Sequence, residues 1–141
     1  MSTWTHIAGV IRVDDFNALF DTSRKLDFSK IFIRNTWNHR NKNGNLPTGS
    51  EGSIDVEFIE RLEDESSAYM RTICFFGDLR DFDNNNCRAV ESWWYNIPNT
   101  LPKCEIRQAV LQIICEDNHT YILTEKNMDI KLSLEEEEDD N

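Results

Sequence analysis

The chain has 141 residues, with 15 Lys and Arg against 26 Asp and Glu, for a formal net charge of -11. At 39% hydrophobic and 29% charged, it has the make-up of one folded domain near the common size of ~100–150 residues. Duplex nucleic acid and anionic membrane would repel so acidic a chain, which argues against both as direct partners.

In chain order, Trp4 to Val13 reads as a strand. Ile7, Ile11 and Val13 alternate with Ala8, Val10 and Arg12, giving one apolar and one mixed face. Asp14 and Asp15 supply a helix cap before Phe16, Leu19 and Phe20, and Asp27 caps a second short helix bearing Phe28, Ile31 and Phe32. From Asn35 to Gly52 the chain is polar, with Asn, Gly and Pro47, and is predicted as a long loop of the length that tends to carry function.

Ser53 to Arg61 is predicted as a strand with Ile54, Val56 and Phe58 on one face. Glu63 to Ser67 is its hairpin turn, and Ala68 to Phe76 is the returning strand. That strand is apolar on both faces, as expected inside a sheet, and Gly77 ends it. Asn84 to Asn86 open a helix carrying Val90, Trp93, Trp94 and Ile97, stopped by Pro98. Glu105 to Glu116 and Thr120 to Thr124 are the last two strands, joined by a turn at Asp117 and Asn118.

This order is β-α(α)-β-β-α-β-β. It predicts an α+β, ferredoxin-like antiparallel sheet of about five strands, with two to three helices on one face. The other face is left to solvent or to a partner's sheet. Residues 1–134 form the single domain, and 135–141 are expected to be a disordered acidic tail.

No basic-then-apolar leader opens the chain, and no apolar run approaches the ~20 residues of a membrane span, so a cytoplasmic protein is expected. Cys74, Cys87, Cys104 and Cys115 form no CxxC pair. They are read as reduced, buried thiols rather than disulfides or metal ligands. No cofactor or metal is expected.

The charge is unevenly placed. Glu135 to Asp140 carry six acids, and without them 20 acids face 15 bases. The rest of the acid is scattered except at Glu57, Glu60, Glu63, Asp64 and Glu65. That cluster is either a solvated hairpin or a surface imitating nucleic acid. Glu57 and Glu60, with Trp94, are therefore candidate partner-binding residues. Trp93 and Trp94 are adjacent, so one of them is expected to miss the core and offer an interface.

Catalytic motifs are absent: His6, His39 and His119 lie in no metal-binding spacing, and there is no P-loop or nucleophile elbow. His6 could act as a base with Asp14 or Asp78, and no spacing motif selects either pairing. The most suggestive stretch is Leu46 to Ser53. Its glycines allow close backbone approach and its Thr48, Gly49 and Ser50 suit a phosphate, although a plain turn would look the same. Asp78 and Arg80 follow a predicted strand, where Arg80 could hold a phosphate or pair with Asp78, Asp81 or Asp83. Trp37 with His39 and Arg40 combines a stacking surface with positive charge, which suits a nucleotide. Trp4 and Tyr95 also fall outside the predicted core.

The segments Trp4-Thr5-His6 and Gly9 to Asp14, Leu46 to Gly52, and Phe76 to Asp81 resemble a group of small, uncharacterised bacteriophage proteins, over residues 1–115. The resemblance implies a setting, that of phage accessory factors that blunt host defence, and no catalytic set. The expected function is non-enzymatic inhibition of anti-phage immunity by binding, in one form as a sponge for a small nucleotide signal, with homo-oligomerisation. Alternatives are an acidic inhibitor of a CRISPR or other defence nuclease, and a nucleotide hydrolase.

Overall fold

The computed structural model describes residues 3–19, 21–33, 46–47, 49, 51–59, 69–80, 84–116 and 119–129, with the backbone alone for 84–89. The strands are β1 (Trp4–Asp15), β2 (Ile54–Ile59), β3 (Met70–Arg80), β4 (Cys104–Cys115) and β5 (Thr120–Thr124). The helices are α1 (Phe28–Ile31) and α2 (Asn84–Asn96). The strands form one sheet in the order β2-β3-β1-β4-β5 with every neighbouring pair antiparallel. This is the strand order of an open ferredoxin-like α+β fold, with β5 added at one edge. The predicted class is therefore the observed one.

Alternation along each strand sorts the two faces. Ile7, Ile11, Ile73, Phe75, Leu111 and Ile113 point to the buried side, each no more than 3% exposed. Phe28 and Phe32 from the α1 segment and Val90, Trp93, Trp94 and Ile97 from the α2 segment pack there with them. The other face carries Phe76, Val110, Ile114 and Ile122, all exposed, and no described element packs over it.

Several local expectations are corrected. β1 does not stop at Val13 but runs through Asp14 and Asp15, and residues 16–19 form a turn rather than a helix. The reason is Asp15, which is fully buried. Its Oδ1 accepts from the Asn17 N–H and Nδ2 at 3.0 and 2.8 Å. Its Oδ2 accepts from the Leu26 N–H and from Arg71 Nη1, both at 2.9 Å. The carboxylate thus closes the turn and joins it to β3. Arg71 is also buried, donates to the Leu26 carbonyl at 2.8 Å, and sits 3.5 Å from the centre of the Phe28 ring.

β3 also passes beyond Phe76 to Arg80, because Gly77, Asp78, Leu79 and Arg80 continue the ladder with β1. The Asp27 cap is as expected: its side chain accepts from the Ser29 N–H and Oγ, which holds the carboxyl below the ordinary carboxylate range. After α2, Ile97–Thr100 tighten into a 3₁₀ turn with Pro98 in its first positions, instead of stopping outright. The hairpin tip at 63–67 and the tail at 135–141 lie outside the described residues.

Candidate functional site

The beginning of β1 and the end of β3 meet at one end of the sheet. Trp4 pairs with Arg80 and His6 with Asp78, and all four lie on the uncovered face. His6 Nδ1 is 2.6 Å from Asp78 Oδ1, with the two side chains 47% and 63% exposed. Glu116, just past β4, binds the Trp4 backbone on the other side: its N–H donates to the Trp4 carbonyl at 3.2 Å, and its carboxylate accepts from the Trp4 N–H.

The loop before β2 closes this corner. The Arg80 N–H donates to the Glu51 carbonyl at 2.9 Å, and Arg80 Nη1 lies 2.8 Å from Glu51 Oε1. Two glycines make the approach possible. A Cβ on Gly49 would lie 2.5 Å from the Arg80 carbonyl oxygen, and one on Gly52 would collide with the Asp78 carbonyl. Gly52 also has φ +81°, a left-handed conformation that glycine adopts without strain.

Two segments singled out separately in the sequence therefore meet, with Gly49, Glu51 and Gly52 against the Asp78-Arg80 strand end. Gly49, Asp78 and Arg80 are brought together there. Trp37, His39, Arg40, Thr48, Ser50 and Glu60 lie outside the described residues. Glu57 is exposed on β2, an edge strand, and its register places it on the uncovered face opposite Cys74. Trp94 is not at a surface. It is fully buried, and its Nε1 donates to the Thr124 carbonyl at 2.8 Å. Trp93 is buried beside it, packed edge-on against Phe75. Adjacent positions on α2 both find cover because Trp93 packs on Phe75 of β3 while Trp94 reaches the end of β5, and Tyr95 is left exposed.

His6 and Arg80 each face a more exposed carboxylate, Asp78 and Glu51 in turn. The surface is thus a mixed set of donors and acceptors, with the half-buried Trp4 ring beside it. It can take a ligand that brings both an anion and N–H or O–H donors. Sequence reasoning gave Trp4 and Glu51 no role; the antiparallel register with β3 places Trp4, and the hydrogen bond from the Arg80 N–H places Glu51. Among the described residues, no group of three His, Cys, Asp or Glu is placed to hold a metal ion, and no helix is long and apolar enough to cross a membrane. No family model, curated protein or solved structure matches this chain.

Proposed function

We propose that the chain is a phage accessory protein that counters bacterial immunity by binding rather than turnover, sequestering a small nucleotide signal in the host cytoplasm. The observation that carries this reading is the docking of Gly49, Glu51 and Gly52 on Asp78 and Arg80, beside His6 and Trp4. A nucleotide offers what this corner complements: phosphate for Arg80 and His6, base and sugar donors for Asp78 and Glu51, and a ring face for Trp4. Across the sheet His6 has Asp78 of β3 on one side and Ile114 of β4 on the other. Self-association belongs to the same proposal. A second copy would cover the uncovered face at Phe76, Ile114 and Ile122, and sedimentation of the full chain measures it.

Calorimetry of the full chain against a panel of cyclic dinucleotides and cyclic ADP-ribose tests the reading. At least one member should bind, and Arg80→Gln should weaken it about tenfold or more, or ~1.4 kcal/mol. Binding by no member overturns the reading. Recovery of the ligand unchanged after denaturing the protein supports sequestration, and recovery of a cleaved product supports the hydrolase instead. Glu57, exposed on an edge strand beside Asp55, favours a second reading, an acidic inhibitor that occupies the nucleic-acid groove of a defence nuclease.

A further inference from the structure

At the opposite end of the uncovered face the β1–β4 ladder slips. Arg12 pairs with Gln108, but the next residue, Val13, pairs with Ile106. Arg107 is the extra residue of a β-bulge. Ala109, Leu111 and Ile113 alternate inward, so regular pairing would turn Arg107 into the core. The bulge leaves Arg107 and Gln108 both exposed, while Ile106 packs against the core instead. Bulges of this kind re-aim one side chain and recur beside binding sites.

The re-aimed side chain completes a recess. A cavity of about 280 Å³ is lined by Arg12, Asp14, Ile59, Met70, Thr72 and Arg107 among others. Arg107 Nε lies 3.7 Å from Asp14 Oδ2, and Asp14 Oδ1 is shielded from solvent without a hydrogen-bond partner among the described residues. Arg12 is exposed and makes no ion pair among the described residues. Of the three arginines in the lining, Arg71 is paired with Asp15 inside the fold, and Arg12 and Arg107 against Asp14 leave the lining with a surplus positive charge, on a chain whose net charge is -11; the exposed Glu105, opposite Asp14 on β4, is outside the lining. Ile59, 54% exposed on β2, provides an apolar wall, with Met70 beside it.

We propose that this recess is a second binding site, separate from the His6–Arg80 corner, and that it seats a phosphate monoester of about mononucleotide size. Arg12 and Arg107 hold the phosphoryl group, with the Thr72 hydroxyl available as a further donor. The organic part of the ester rests on Ile59 and Met70. Arg107 gives up part of its contact with Asp14 when the phosphate arrives, so Asp14 acts as a competitor that tempers affinity.

The test uses the full chain labelled with ¹⁵N and follows the Arg Nε–Hε signals during titration with AMP and, separately, with inorganic phosphate. AMP should shift the Arg12 and Arg107 signals at lower concentration than inorganic phosphate does. Arg107→Gln should weaken AMP binding at least tenfold, whereas Arg24→Gln, at an exposed arginine that pairs with Asp21 away from both sites, should leave it within about twofold. Asp14→Asn should tighten it severalfold, an effect that a purely structural role for Asp14 would not produce. The proposal is overturned if neither ligand shifts the two signals, if inorganic phosphate binds as well as AMP, or if Asp14→Asn weakens binding. Because the probe and the variants differ from those at the corner, either site can fail without the other.

Discussion

Asp15–Arg71 and His6–Asp78 both tie β1 to β3, at opposite ends of the same ladder and on opposite faces. Their separations are close, 2.9 and 2.6 Å. Their surroundings are not. The Asp15 and Arg71 side chains are 0% and 2% exposed, against 47% and 63% for His6 and Asp78. The inner carboxylate is shared among Asn17, Leu26 and Arg71, and Phe28 covers the guanidinium. Every one of those groups comes from the fold itself, so the inner pair is committed to structure. The outer pair faces water and can exchange a partner for a ligand at small cost. An acid–base pair becomes a candidate site through what surrounds it, not through its own chemistry.

The largest effect should come from breaking the inner pair. Asp15→Ala leaves a buried guanidinium without its counter-charge and opens the turn at 16–19. It should cost about 3–5 kcal/mol in urea unfolding of the full chain. The double variant Asp15→Leu with Arg71→Met should recover a good part of that loss, because apolar packing can replace a buried pair but cannot support half of one. If Asp15→Ala costs under about 1 kcal/mol, the two pairs are not different in kind.

A smaller effect is expected at Trp94, which extends the comparison from the two pairs to the two faces. Trp94→Phe removes the hydrogen bond to the Thr124 carbonyl and leaves a gap between α2 and the end of β5, for a loss of about 2 kcal/mol. Ligand binding at the corner should be unaffected, as befits a core residue and not an interface residue.

Next comes a pH effect confined to the inner end. The Cys104 thiol is held above its ordinary value of 9.0 by burial, then by the Asp15 charge, 3.7 Å from Sγ to Oδ1, and by the hydrogen bond to it. The folded chain therefore keeps this proton to higher pH than the unfolded chain does. The stabilisation it gives is complete below pH 9 and is lost as pH rises past that point, by at most about 1.4 kcal/mol per pH unit. The slope measured between pH 8.5 and 10.5 should be shallower in Cys104→Ser. Equal slopes would show that the inner carboxylate does not reach the thiol.

The sequence showed the framework of this comparison but not its inner member. Strand alternation located the buried face of β1, the span of β5 and the cap at Asp27, because each depends on neighbours within a few positions. The inner pair joins residues 56 apart, and an isolated Arg at the start of a strand carries no local sign that it will be buried. Asp15 was misread for a related reason: acid before a turn resembles a helix cap until its long-range partner is known. At the site, the glycines and Arg80 were legible as phosphate-friendly types, while their meeting required the β1–β3 register. Arg107 was the least legible, since strand parity alone turns it inward and only the bulge brings it out.

The smallest effect on stability should come from breaking the outer pair, and it sharpens the comparison most. His6 and Asp78 are both exposed, so solvent screens their attraction and ordering the two side chains offsets much of what remains. His6→Ala should change unfolding free energy by no more than about 0.5 kcal/mol. The same substitution should weaken the best nucleotide from the calorimetric panel severalfold, because it removes a donor from the corner. Asp78→Asn should separate charge from shape: the amide keeps the size of the side chain, ends the competition of the carboxylate for His6, and removes an acceptor for ligand donors. If phosphate dominates recognition, the Asn variant binds more tightly than the parent; if the donors of a base dominate, it binds less tightly. In both cases stability should stay within about 0.5 kcal/mol of the parent, and a loss comparable to that of Asp15→Ala would make the outer pair structural as well.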